Sequence, residues 1–385
     1  MTTATLEAAD SWSPAPDYAA AVSWHGQHDA AVVLKDGTKV LLAGGADAAS
    51  AGVKQSAVYD LQQESWSAPV LLGTARRLHT MTLLPSGKVL VAGGQGGPGA
   101  PALATAELYD PEHRTWNATK HPMAAGRWGH SAVLLSNGQV LVAGGSTVRP
   151  GGTVMALRSA ELFDPADETW TKAADMTDAR TGHTAVELQA GKKVLVCGGS
   201  VPVGTADDPA LAFCELYDTD AKTWTPAGSL RHPRSAHTAT ALSGTTVLVT
   251  GGRAPGASGD GGFDPFARAT AEVFTLSSGG GSWQETAPMP GGRAFHRAVS
   301  LGSGRVLVVG GTDDAVNEAG YRSALEYAAG TWTKVAGLAE GRWGFAAAAS
   351  GGKVLVAGGV ARTGLAAAAQ AIELTRSAER RGSGS

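Results

Sequence analysis

The chain has 385 residues, 43% of them apolar, and a formal net charge of −3. That length can bury a large core, and the charge argues against a general nucleic-acid binder, which needs a basic face. Two cysteines are too few for a disulfide framework, and no apolar segment reaches membrane-spanning length. The N-terminus has no basic region followed by a long apolar run, so a cytoplasmic protein without membrane contact is expected.

Ser11-Trp12-Ser13-Pro14 opens the chain's pattern and is matched by Ser65-Trp66-Ser67-Ala68. A Gly-Gly pair then closes a short apolar run seven times, at Gly44-Gly45, Gly93-Gly94, Gly144-Gly145, Gly198-Gly199, Gly251-Gly252, Gly310-Gly311 and Gly358-Gly359. The separations of 49, 51, 54, 53, 59 and 48 residues mark a repeat architecture. The third copy shows the unit: alternating runs at His130–Leu135, Gln139–Ala143, Ser159–Phe163 and Thr169–Lys172 predict four half-buried strands. Ser136-Asn137-Gly138 and Asp164-Pro165-Ala166-Asp167 supply tight turns between them. Named a to d from the centre outward, four antiparallel strands make a blade, and radially stacked blades bury their apolar faces.

The seventh copy, Arg342 to Leu374, has no tryptophan after it. Trp12 is therefore expected to supply its strand d, pairing outside a strand c at Ala371–Leu374 and closing the ring. The expected fold is all-β, a single seven-bladed propeller of four-stranded blades over residues 1–377. Residues 12–14 would form strand d of blade 7, and 378–385 a flexible tail.

The copy RWGHSAVLLSNGQVLVAGG, followed by SAELFDPADETW, resembles a kelch repeat, and the resemblance covers residues 12 to about 375. The whole is similar to the seven-bladed kelch domain of galactose oxidase. The copper-radical site of that enzyme needs a cysteine crosslinked to a tyrosine, whereas Cys197 and Cys214 replace small core residues here. No metal and no cofactor are expected.

Repetition sorts scaffold from site. Trp12, Trp66, Trp116, Trp170, Trp224, Trp283 and Trp332 recur as a blade-packing set, and Glu107, Glu161, Glu215, Glu272 and Glu373 recur on strand c. His28, His79, His130, His183, His237 and His296 recur with Phe345 as seventh, and the expected role is structural, each ring bonding backbone near its own blade. Three residues earlier stand Arg76, Arg127, Arg180, Arg234, Arg293 and Arg342, with His25 in blade 1. The kelch resemblance implies that such arginines point into the central pocket. Together they would bind an anion, either a small molecule or an acidic protein partner.

Trp24, Trp128 and Trp343 lie in connectors at the channel mouth, as a ligand-stacking surface or as loop packing. Departures from the repeat cluster at Trp24-His25, Arg76-Arg77 and Arg342-Trp343, beside the Tyr321 and Glu318 loop. The long loops 146–158, 200–212 and 253–269 share that face. Two functions follow from this pattern. One is a cofactor-independent cyclase, isomerase or lyase acting on a small anionic, aromatic or polycyclic molecule of bacterial specialised metabolism, with His25 as acid or base and Tyr321 or Glu318 as partner. The other is a non-catalytic module that recognises an acidic peptide.

Overall fold

The computed structural model describes residues 11–203, 208–254, 267–278, 280–313, 320–363 and 372–382. Among the described residues the strands form seven radially arranged antiparallel sheets and two small two-stranded ladders, with no helix, and so no helix that could cross a membrane. Blade 3 is representative, with strands Ser131–Leu134, Val140–Ala143, Ala160–Asp164 and Thr169–Lys172 in the order a-b-c-d. Strand b is buried on both faces, which is why it reads as an unbroken apolar run: Val40, Leu41, Leu42 and Ala43 of blade 1 are all 0% exposed. Strand d of blade 1 is split into Ser65–Trp66 and Val70–Arg76, both paired to strand c at Val53–Asp60.

In blades 1 to 6 each tryptophan of strand d packs across the strand pair on an aromatic of strand c. Tyr59–Trp66, Phe163–Trp170 and Tyr217–Trp224 have centroid separations of 4.9, 4.9 and 5.1 Å. Except at Trp170, the indole N–H then reaches the preceding blade, as from Trp224 Nε1 to Ala174 O at 2.9 Å. The Gly-Gly pairs exist for close approach. Gly93 and Gly94 have φ of +62° and +100°, and a Cβ on Gly93 would lie 2.5 Å from Arg127 O and 2.7 Å from the His130 ring.

The ring closes with the N-terminal strand, Trp12–Ala15, as strand d of blade 7. Its partner corrects the expected register. Strand c is Ala378–Arg381, the segment read as a flexible tail, with Trp12 opposite Arg381 and Leu355 opposite Arg380. Ile372–Leu374 instead pairs with Val360–Thr363 in a small separate ladder. Ser377-Ala378-Glu379 repeats Ser159-Ala160-Glu161 of blade 3, the signal that marks the true strand. The apolar pair that follows there, Leu162-Phe163, is replaced by Arg380-Arg381, which disguised it.

Candidate functional site

The arginine ring does not face the channel. Arg76, Arg127, Arg180, Arg234 and Arg342 are 0% exposed and Arg293 is 3% exposed. Each Nη1 donates to the first Gly-Gly carbonyl of its own blade and to a backbone carbonyl at the start of strand c, as from Arg127 to Gly144 O and Ser159 O at 2.8 and 2.9 Å. Nη2 meets a strand-c carboxylate: Arg76–Glu107 at 2.7 Å, Arg127–Glu161 at 2.8 Å, Arg234–Glu272 at 2.7 Å and Arg342–Glu379 at 3.0 Å. Arg180–Glu215 is looser at 4.0 Å. The carboxylates also accept N–H groups of the entering connector, Ala124 and Ala125 for Glu161. These arginines are internal clamps, buried and turned onto the carbonyls and carboxylates of their own blades, and they offer no anion ring at the mouth. Glu379 holds the place expected for Glu373.

The histidines of blades 2 to 6 are scaffold, but their bonds cross blades rather than staying within one. His130 Nε2 meets Thr80 Oγ1 at 3.0 Å, His183 meets Ser131 at 2.9 Å, His237 meets Thr184 at 3.0 Å and His296 meets Thr238 at 2.9 Å. Burial holds every one of them neutral, pushing His79 down to about 3.

Blade 1 breaks the pattern, and His28 is not a member of that ring. Ser23 bridges Ala46 as Arg77 bridges Gln95, and Ala30 precedes strand a as Thr80 begins it. Six residues, 24–29, therefore stand where blade 2 has two. Trp24, 1% exposed, places its ring in the slot that a histidine ring fills elsewhere, against Gly45 and Gly358, and donates from Nε1 to Ala43 O at 3.1 Å. It is packing, not a ligand platform. The extra residues turn into the channel, where Gln27 Nε2 lies 3.4 Å from His79 Nε2 and does the work of the hydroxyl that Ala30 lacks. His28 and Asp29, half-buried, line the channel itself.

From the opposite wall comes Arg297, which replaces the threonine or serine that starts strand a in blades 2 to 5. It donates from Nε to Phe345 O at 2.5 Å and from Nη2 to Trp24 O at 3.0 Å. Burial pulls its guanidinium down to about 10, opposed by Asp29, while burial raises the Asp29 carboxyl to about 6, opposed by Arg297. Burial, then Arg297, lowers His28 to about 4. Sequence comparison missed Asp29, Gln27 and Arg297. The signals were the four extra residues before strand a and an arginine where four copies have a hydroxyl.

Above this lies the mouth. The residue two after each arginine has a left-handed backbone, including Leu78 at φ 56°, Ala236 at 51° and Phe295 at 53°. Their peptide groups join neighbouring blades: Gly129 N to Leu78 O at 2.9 Å, Gly182 N to Gly129 O at 2.8 Å, Phe295 N to Ala236 O at 3.0 Å, Gly344 N to Phe295 O at 3.0 Å and Trp24 N to Gly344 O at 2.6 Å. The circuit is open at Leu78 and Ala236, whose N–H groups have no acceptor among the described residues. At the second gap sits a cavity of about 150 Å³ walled by Ser235, Ala236, Arg253, Phe295, His28 and Gly344.

The expected mouth residues are partly brought together. His25 packs its ring edge-on to Trp343 at 6.0 Å, Trp343 meets Phe295 at 5.4 Å, and the Arg253 guanidinium lies 5.2 Å from the Phe295 centroid. Trp343 is only 4% exposed, whereas Trp128 and Arg77 are half-buried. His25 Nδ1 lies 2.9 Å from Ser23 Oγ, and burial, then Arg77, lowers the ring to about 4. Tyr321 covers Arg293 at 5.6 Å, and Glu318 lies outside the described residues.

A family model described as the KLHDC2/KLHL20/DRC7 kelch-repeats domain matches residues 129–359. Beta-scruin of Limulus polyphemus is 28% identical over 51% of this chain, and Kelch-like protein 34 of Homo sapiens is 26% identical over 50%. The chain covers only 21% and 28% of those two proteins. A fungal alcohol oxidase of the AA5 family, solved in complex with copper, superposes with a TM-score of 0.75 at 18% identity, over 97% of this chain and 76% of that one. The structure of YjhT gives 0.60 at 14% identity, over 80% and 95%. These structural likenesses are of fold alone. With its repeats, its four-stranded blades and its family match in agreement, this chain belongs to the kelch-repeat family as a seven-bladed β-propeller.

Proposed function

We propose that this chain is a recognition propeller that takes an acidic group of a protein partner at the mouth of its channel. The observation that carries the reading is the gap in the inter-blade circuit at Ala236, where an unspent N–H borders a cavity walled by Arg253 and Phe295. Backbone donors beside a guanidinium recognise carboxylates, and the aromatic ring supplies apolar contact area. Kelch-like relatives and a scruin, as proteins built around the same repeats, support an interaction role. Fluorescence anisotropy with a labelled Glu-rich hexapeptide and its Gln counterpart tests it. Arg253→Ala and Phe295→Ala should weaken the acidic peptide by about tenfold, and Lys35→Ala, on the opposite face, should leave it unchanged. Equal binding of the Glu and Gln peptides would end this reading.

A second reading keeps catalysis: a cofactor-independent isomerase, lyase or cyclase of a small aromatic anion. One observation favours it, the neutral His25 imidazole set beside the Arg77 charge and edge-on to the Trp343 ring. An aromatic carboxylate such as 1-naphthoate should then quench Trp343, with the effect lost in His25→Ala. Unchanged fluorescence at millimolar naphthoate rules it out.

A further inference from the structure

Below the insertion, the channel holds a second cavity of about 180 Å³ lined by His28, Asp29, Ser131, Thr184, Thr238 and Arg297. Two of its charged groups are not fully used. Arg297, only 9% exposed, spends Nε and Nη2 on carbonyls, and its Nη1 has no acceptor among the described residues. The Asp29 carboxylate accepts no hydrogen bond there, and no cation approaches it within 4.0 Å. The polar groups of the neighbouring blades are committed by contrast: Ser131 to His183 and Thr184 to His237.

An unspent guanidinium N–H and an unspent carboxylate therefore share one small cavity without touching. Burying such a pair apart is costly unless something between them completes both. A simple anion would gain Arg297 and be repelled by Asp29, and a simple cation would meet the reverse. A ligand with an acceptor at one end and a cationic donor at the other satisfies both, and the volume limits it to a few heavy atoms. We propose that the channel binds a small zwitterion of the α-amino-acid class, its carboxylate on Arg297 and its ammonium on Asp29. The site is beneath the mouth and does not depend on the partner proposed there.

Calorimetry on the full chain near neutral pH, with glycine, acetate and methylammonium as separate probes, tests the assignment. Glycine should bind, with acetate and methylammonium about tenfold weaker or worse. Asp29→Asn should weaken glycine by about tenfold and leave acetate equal or stronger, because only the ammonium partner is lost. Glycine binding should also fall below pH 6 as Asp29 takes up a proton, while His28, His130 and His183 on the same wall stay neutral down to lower pH. Should Asp29→Asn fail to fold, the ranking of the three probes on the unaltered chain still decides. Acetate binding as well as glycine, glycine unaffected by Asp29→Asn, or no binding at tens of millimolar would each overturn the proposal. A chain that bound glycine but ignored the acidic peptide would retain this site and lose the mouth reading.

Discussion

Blades 2 to 5 and the sector of blades 6, 7 and 1 use the same repeat to opposite ends. In the first group every connector arginine has its strand-c glutamate, and the histidines of blades 3 to 5 each have a hydroxyl from the blade before. In the second the clamps lose members. Blade 1 has Val22 and Ala57 where the arginine and glutamate belong, both apolar, so neither is left as an unpaired charge. Blade 6 keeps Arg293 but has Leu325 in the glutamate's place. Pro290 stands where other connectors present the N–H that the carboxylate would accept, so the missing donor and the missing acceptor go together. Blade 7 has Phe345 for histidine, which frees the hydroxyl position of blade 6 to become Arg297. Where the clamp and the histidine–hydroxyl pair are complete, these side chains are committed to the scaffold, and the channel charges Asp29 and Arg297 appear only where the repeat is broken.

The comparison can be broken most severely at the closure. Deleting residues 377–385 removes strand c from between strands b and d of blade 7, and should abolish the folded monomer in circular dichroism and gel filtration. Deleting residues 1–20 removes the outer strand together with the buried Tyr18 and should cost several kcal/mol by urea unfolding; unchanged melting would refute the closure.

Next in size is the clamp. Glu161→Ala strands the buried Arg127 charge and two connector N–H groups, and should cost about 3–5 kcal/mol in denaturant titrations. Arg293→Met, in the blade with no strand-c carboxylate, should cost clearly less, about 1–2 kcal/mol, because no partner charge is orphaned. Equal costs would mean that the carboxylates contribute nothing.

The histidines sharpen the contrast further. His183→Ala empties a buried site and breaks the bond to Ser131, and should cost about 2–3 kcal/mol, whereas His28→Ala, half-buried in the channel, should cost under about 1 kcal/mol. The reverse order would return His28 to the scaffold. Acid titration gives the same information through its sign. Histidines at about 3 to 4 when folded and 6.5 when unfolded let the unfolded chain bind more protons between those values. Stability should therefore be complete above pH 6.5 and fall as pH drops toward 4, with Asp29, raised from 3.8 to about 6, opposing the trend between those two values. His79→Gln should flatten the slope. The smallest effect belongs to Ala236→Gly, which relieves a left-handed φ of 51° and should stabilise by roughly 0.5 kcal/mol.

The local code of this protein was complete in its sequence. Alternation, turn residues, Gly-Gly pairs and strand-d tryptophans specify a blade through contacts a few residues or one hairpin apart, so one copy predicts the next to within a residue or two at the strand ends. Trp12 as the closing strand was legible for the same reason. Its partner was disguised, because Arg380-Arg381 replaces an apolar pair and leaves Ser377-Ala378-Glu379 as a short signal, whose meaning the clamp from Arg342 to Ser377 and Glu379 makes plain. Nor could recurrence tell which way a side chain points. The arginines recur as a site would and as a clamp would, and their glutamate partners, 31 to 38 residues on, become neighbours only when strand c folds back onto the blade. Trp24, His28, Asp29 and Arg297 meet across the ring through 273 residues of separation in the bond from Arg297 to Trp24. That meeting depends on how seven blades close around one axis, a property of the assembled circle that no single repeat contains.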